Sequence, residues 1–525
     1  MSFEWLFNLH GIVQSIVVFL VALALRLFAV RGCTRGFDET GHLYFAKEVK
    51  RQGVGPFGSI MLKVVEAEKL SNPFMWNWLI SFLPAVFLAK YYKIVNPCLD
   101  AAFTVVLFFL LYSLPLSHEL VVIGSLLYLL TPMWFSRLSI GPRVNELTPR
   151  LASEIATNLF FIVTLLPIGW EQNAIIAVGA VLAFFVLTTS KFGLQALVLL
   201  VPTVSIISQS YFPIISLCFG FILGLVLSKH SFSNALSHHI KHLAWYFQKN
   251  LKGEMPVSKR NSFDRDYEYR LDESRFWYLL RVINLLIGRN SYTGVILKLP
   301  VLFFVLIGWF YVESNTITDV VMAPVLASSL IFVLINMPSL LFLGEAERYL
   351  NHVAVFIVMV AVLIAVQLDS YVYLWGVIAY GMLYLLVEGL VYPLVNKKVA
   401  VGQHDADKIV AFLQQQRPTI VLDFPYHACD SVYRIMADTP HKTVFPFGTT
   451  AEFSQRLETK YGAKYPYVDL NKLEDMRNDF GANILVTRIA ELEKIMGPEW
   501  QPPKGWRLID LGCKSEQVFI YEGAS

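Results

Sequence analysis

The sequence predicts a polytopic α-helical membrane protein with a C-terminal soluble α/β domain, and three observations predict it. The first is composition: of 525 residues, 55% are hydrophobic and only 16% charged, with a mean hydropathy of +0.53. A soluble globular chain carries about 25% charged residues, so most of this one is solvated by lipid. The second is the recurrence of apolar runs of near-spanning length between residues 11 and 391, and the third is the fall in hydropathy after residue 395. A net charge of +3 and a pI near 8.4 give no sign of a nucleic-acid partner. Aromatic residues reach 14%, as expected where Trp and Tyr line two membrane interfaces. The five cysteines (Cys33, Cys98, Cys218, Cys429 and Cys513) show neither paired metal spacing nor a disulfide framework. Cys429 and Cys513 share the soluble part and could pair in an oxidising compartment.

A helix needs about 20 apolar residues to cross roughly 30 Å of hydrocarbon. The stretches that qualify, or nearly do, are 11–30, 75–90, 101–116, 119–135, 151–168, 173–190, 192–208, 211–228, 295–312, 319–342, 350–368 and 371–391. The region before the first lacks the positive charge of a signal peptide, so 11–30 reads as a retained helix. Between the first two runs, Ile60, Met61, Val64, Val65 and Leu70 interleave with Lys63, Glu66, Glu68 and Lys69, a pattern that suits a helix lying in the interface over 56–73. The run 75–90 contains Trp76, Asn77, Trp78 and Pro84, an interfacial composition, and is the best candidate for not crossing. About 11–12 membrane helices are therefore expected, with eleven preferred. On that count the loops around Asp38, 136–150, 229–294 and Glu345–Tyr349, together with the tail, share one membrane face. The cations on that face make it cytoplasmic by the positive-inside rule. Cations retained to hold anionic ligands would place it outside, and the pattern alone leaves both open.

Within 229–294, His238, His239 and His242 sit at helical spacing with Lys241, Trp245 and Tyr246, which reads as a solvated interfacial face ahead of a metal site. The alternating charges of 258–276 read as a surface helix or loop. The division expected is 1–395 for the membrane part and 396–525 for the soluble part. In the latter, strand-like runs at 418–424, 482–487, 506–511 and 517–521 alternate with helical stretches near 405–415, 451–460 and 488–496. It carries no glycine-rich phosphate loop and no nucleophile elbow, and reads as a docking or acceptor-recognition domain.

Three groups of residues could carry chemistry. Asp38 and Glu39 follow the first apolar helix directly. Adjacent carboxylates there must sit in water or in a polar cavity. They could cap the helix that starts at residue 38, or act as a general base on an acceptor hydroxyl or amine. Arg143, Glu146, Arg150 and Glu154 stand between two apolar helices, with Arg137 just before. The guanidinium groups could snorkel toward headgroups or bind phosphate through their planar fork. The third group is Glu345-Ala346-Glu347-Arg348-Tyr349, where Glu and Arg could fix the turn or Arg348 could meet a phosphate. Lys191, alone between two apolar runs, is a further cation that could reach the same cavity.

Asp38-Glu39 after the first membrane helix, an interfacial helix next, and Glu347-Arg348-Tyr349 before a late membrane helix together resemble the GT-C superfamily of integral-membrane glycosyltransferases. The protein mannosyltransferases and the aminoarabinose transferases of lipid A are the types most similar, over roughly 1–395. The resemblance implies a polyprenyl- or dolichyl-phosphate-linked sugar as donor, and a glycan, lipid or protein as acceptor. It places the active site on the extracytoplasmic face of a multi-pass plasma or inner membrane. It makes Asp38 the general base with Glu39 in support, and Arg348 a candidate for the donor phosphate. Arg143, Arg150 and Lys191 join it as phosphate candidates, and His42, Glu146, Glu347 and Tyr349 as support for the site or acceptor. Thr40-Gly41-His42 departs from the Tyr or Arg common after the acidic pair in those families. The expected reaction is inverting transfer by direct displacement. No dense ligand cluster demands a metal, although Asp38 and Glu39 could share a divalent cation with waters. The rival readings are a lipid-linked glycan polymerase or ligase, and a transporter or flippase for lipid-linked sugars. A transporter would more often show internal repeats, which this sequence lacks.

Overall fold

The computed structural model describes residues 9–522 apart from 34–35, 66–68, 71–74, 137–142, 167–168, 229, 253–260, 262–274, 276–277, 280–281, 283–289, 314–315, 396–398, 426–430, 445–450 and 463–466. Arg137, Cys429 and nearly all of 258–276 lie outside the described residues.

The membrane part opens with α1 (Leu9–Val30) and α2 (Phe37–Gln52), followed by two short strands, β1 (Ile60–Met61) and β2 (Lys69–Leu70). Next come α3 (Met75–Ser81), α4 (Ala85–Lys90), α5 (Val95–Tyr112), α6 (His118–Leu130), α7 (Pro132–Phe135) and α8 (Pro149–Leu165). They are followed by α9 (Gln172–Thr189), α10 (Lys191–Ile207), α11 (Phe212–Leu227) and α12 (His230–Leu251). The last group is α13 (Ser291–Lys298), α14 (Pro300–Gly308), α15 (Thr316–Ile335), α16 (Glu347–Asn351), α17 (Ala354–Gln367) and α18 (Val372–Val395). Among the described residues, five helices are long and apolar enough to cross a bilayer, or up to seven if two bent pairs each form one span, and three shorter apolar helices accompany them. These make the chain an integral membrane protein. Helix α17 is the axis of the bundle: Ala354–Val362 are wholly buried, packed among α6, α8, α14, α15 and α18.

Two stretches differ from expectation for local reasons. Residues 75–90 are two short helices, because Pro84 offers no N–H and starts a new helix instead of continuing the first. Residues 56–73 form no helix among the described residues; β1 and β2 pair antiparallel, Ile60 with Leu70 and Met61 with Lys69. Gly55, Pro56 and Gly58 interrupt helical propagation. The β-branched Ile60, Val64 and Val65 alternate with polar residues, so their apolar side faces a sheet as readily as a bilayer.

The soluble part runs α19 (Val399–Leu413), β3 (Ile420–Phe424), α20 (Val432–Asp438), β4 (Lys442–Thr443), α21 (Ala451–Tyr461), α22 (Leu473–Phe480), β5 (Ala482–Arg488), α23 (Ile489–Met496), β6 (Trp506–Ile509) and β7 (Glu516–Tyr521). The strand order is β4-β3-β5-β7-β6, with β3 parallel to β4 and β5, and β7 antiparallel to β5 and β6. The β4 edge does not face solvent: Thr443 donates its N–H to Lys63 O (3.0 Å), and Val65 donates to Thr443 O (3.1 Å). The membrane part thus closes the sheet edge, which removes an unpaired row of backbone groups.

Helix α2 joins the two parts. Leu43 and Ala46 pack with Trp76, Ile80, Leu147 and Ala152 of the membrane part. Tyr44, Phe45 and Val49 pack with Ile435 and Met436 of α20 and with Val421, Val486 and Val518 of the sheet. One apolar core therefore runs from α2 into the soluble domain.

Candidate functional site

Helix α2 starts after Gly36 with Asp38 and Glu39 in its first turn and Lys50 and Arg51 in its last, each matched to the helix dipole. The two carboxylates then diverge. Asp38 is exposed, whereas Glu39 is fully buried. Glu39 Oε2 accepts the Gly36 N–H (3.3 Å), closing its own helix start, and Oε1 accepts the Leu147 N–H (2.8 Å). That second bond fastens the loop carrying Glu146 and Arg150 to the helix carrying Asp38. Among the described residues no group of three or more metal-ligating side chains converges.

Glu146 lies against Gly36 so closely that an added Cβ there would sit 2.2 Å from its carboxyl carbon. Burial, then the charges of Glu39 and Asp38, push the Glu146 carboxyl up to about 7, against the pull of Arg150 and Lys93. His42, one turn after Asp38, meets the Asn77 amide oxygen through Nδ1 (3.0 Å), which ties α3 to α2. Burial lowers its pKa, and Asp38 partly opposes this.

Arg143 is brought to this end of the bundle, but its guanidinium is occupied within the protein. It donates to Glu154 (2.6 Å), Asp100 (3.0 Å), the Trp134 carbonyl (3.0 Å) and Tyr128 Oη (2.8 Å). Asp100 also pairs with Arg26 and accepts from Tyr128 (2.6 Å). Two arginines and two carboxylates, all buried, thus neutralise one another beneath the loop. Asn96 holds that loop from the side, donating to the carbonyls of Arg143 (3.0 Å) and Glu146 (2.6 Å). Arg26 and Asp100 were not among the sequence candidates, although ionisable residues inside apolar runs are a functional signal in their own right.

Arg150 differs from Arg143. It is half-buried at the start of α8, its Nη1 is sealed from solvent, and no acceptor meets its guanidinium among the described residues. The charges acting on it are Arg348, Glu345, Glu154 and Asp38. Asp38 and the late Glu345–Arg348 segment, some 300 residues apart in sequence, therefore act on the same guanidinium. Arg348 pairs with Glu345 and lies over the Phe192 ring, 5.2 Å from its centre. Buried Glu347 accepts from Ser291 Oγ (3.1 Å), and Tyr349 Oη accepts from Gln195 (2.6 Å), so both brace the loop from below. His352, which sequence reasoning missed, sits beside them, fully buried, with its ring 6.0 Å from Phe192.

Lys191 flanks this group. Its charge acts on His239 and His242 of α12, and burial followed by Lys191 holds both imidazoles down to about 4. His239 is buried and neither ring nitrogen has a partner among the described residues, whereas Lys241 is exposed, so only part of this cluster forms the solvated face expected. Helix α12 lies over the segment before Gly344, with Phe247 against Phe342 and Asn250 donating to Pro338 O (3.0 Å), and Lys249 pairs with Glu458 of α21 (2.9 Å).

These elements define a helical membrane protein whose α/β domain packs against α2, the helix that is bonded to the loop carrying Glu146 and Arg150. No family model matches the sequence, and no curated protein is similar to it. Among solved structures the fold matches ArnT from Cupriavidus metallidurans in the apo state, with a TM-score of 0.51 over 97% of this chain and 98% of that one, at 14% identity. The fold implied by the GT-C resemblance, an apolar helical bundle with an appended α/β domain, is the fold observed, with five to seven spanning helices among the described residues where eleven or twelve are expected from the sequence.

Proposed function

We propose that this chain is a GT-C glycosyltransferase that moves a sugar from a polyprenyl-phosphate-linked donor to a glycan, lipid or protein acceptor on the extracytoplasmic face of the membrane. The observation that carries the reading is Arg150, a half-buried guanidinium that meets no acceptor among the described residues and feels the charges of both Asp38 and Arg348. A half-buried guanidinium without a hydrogen-bond acceptor is costly, and an anionic ligand would supply one. The fold shared with ArnT, an aminoarabinose transferase, supports the same class. Eleven crossings, and a division into 1–395 and 396–525, are the topology that goes with it.

In this reading Asp38 takes the acceptor's proton as the acceptor atom attacks the anomeric carbon. The bond from that carbon to the phosphate oxygen breaks, and lipid phosphate departs with the bonding pair. Arg150 and Arg348 stabilise the charge that develops on it, and configuration inverts. Glu39 and Arg143 act one layer back: the first holds the 146–150 loop to α2, and the second balances the charges beneath it. Lys191 stands at the rim.

The test is release of free polyprenyl phosphate when purified protein is given polyprenyl-phosphate sugars and candidate acceptors. Release that is lost in Asp38→Asn supports transfer. A transporter or flippase releases none from any donor, and that result would end the proposal.

A further inference from the structure

His352 sits in the turn between α16 and α17, with no exposed surface. Its Nδ1 lies 3.0 Å from Thr157 Oγ1, and Thr157 already donates its hydroxyl proton to Ser153 O (2.8 Å). A hydroxyl has one proton to give, so in this pair the imidazole is the donor and Nδ1 carries the hydrogen. Burial, and then the guanidinium groups of Arg150, Arg143 and Arg348, oppose a positive charge on the ring. Nε2 is left as a buried lone pair, and no donor meets it among the described residues. Buried polar atoms without a partner are rare and call for one.

A phosphate cannot fill this position, because phosphodiester oxygens are acceptors and would oppose the lone pair. The missing partner must bring an O–H or N–H. We propose that His352 Nε2 accepts a hydroxyl or amino hydrogen of the sugar whose phosphate lies at Arg150 and Arg348, which makes it a sugar-recognition residue of the donor site. This rests on the donor-binding reading above. The neighbouring cations take the phosphate through charge and do not distinguish sugars. A site built to bond one substrate hydroxyl rejects ligands that lack it, because the buried group is then left unpaired.

The test uses detergent-solubilised full-length protein and measures the affinity of farnesyl phosphate against farnesyl phosphate bearing glucose, mannose, galactose, arabinose or N-acetylglucosamine. Wild type is expected to bind at least one sugar-bearing ligand about tenfold more tightly than bare farnesyl phosphate. His352→Asn keeps a donor for Thr157 and removes the Nε2 lone pair. It is expected to bring that preference below about twofold while leaving the affinity for bare farnesyl phosphate unchanged. Arg150→Ala should weaken both ligands together. A His352→Asn protein that keeps the preference, or that loses both affinities alike, overturns the assignment, as does a wild type with no preference for any sugar in the panel. If wild type binds no farnesyl phosphate at all, the donor-binding reading fails with it, and that outcome is distinct from the others.

Discussion

At the scale of single residues, adjacent positions carry opposite duties. Glu39 gives both carboxylate oxygens to backbone amides, so its loss should loosen the 146–150 loop. Asp38 remains exposed beside the charges of Glu146 and Arg150. Asp38→Asn should abolish turnover and leave donor affinity intact, measured as product formation beside farnesyl phosphate binding; full turnover would remove Asp38 from the chemistry. Glu146, with its carboxyl near 7, sets a pH dependence of definite sign. Its ionisation adds negative charge next to Asp38, so kcat/KM should rise through pH 7, and Glu146→Gln should flatten that limb. The stability sign is opposite. A carboxyl raised in the folded state favours folding while protonated, so Tm should fall as pH increases from about 4.5 to 7, less steeply in Glu146→Gln. Gly36→Ala should displace the Glu146 carboxyl and shift the same limb, since the added methyl takes its place. Asp38, Glu39, Arg150 and Arg348 were legible in the sequence because charges at the ends of apolar runs stand out. His352 was not legible: a lone histidine beside an apolar run has no pattern, and its significance depends on Thr157, far away in the chain.

At the scale of elements, α2 serves the membrane part with one side and the soluble sheet with the other. Gly41 makes this contact close, because an added Cβ would lie 3.3 Å from the Tyr433 ring. Gly41→Leu should force Tyr433 aside and lower Tm. If Tm and activity both stay at wild-type values, the α2–α20 contact does not organise the site. Beneath the loop, removing one member of a buried ion pair leaves the other uncompensated. Arg143→Ala is expected to cost about 3–5 kcal/mol of stability, read as loss of thermal stability in detergent. A change below about 1 kcal/mol would mean that Asp100 and Glu154 find other partners. Apolar periodicity revealed most of the apolar helices and the α/β rhythm of the tail. It failed over 56–73, because alternating Ile, Val and Lys suit a sheet edge and an interfacial helix alike, and the edge that decides the matter, Thr443, lies almost 400 residues on.

At the scale of the whole molecule, distant segments converge on one end of the bundle, and the soluble domain covers it through a shared apolar core. Cysteines placed at exposed Lys50 and Lys504 should be labelled from the same side of the membrane, and one at Tyr211, in the turn between α10 and α11, from the other. Labelling of Lys50 and Lys504 from opposite sides would separate the acidic pair from the domain that packs on it. That shared core was not legible in the tail sequence, which reads as an independent domain, since its contact residues are ordinary core residues until α2 is laid against them.

The most direct test of the central claim is the position of phosphate in an experimental structure of the full-length protein with farnesyl phosphate. The phosphate is expected in contact with the Arg150 guanidinium, near Arg348, with the Asp38 carboxylate facing the same cavity. Phosphate bound elsewhere, or Arg150 paired with a protein carboxylate in the bound state, would contradict it.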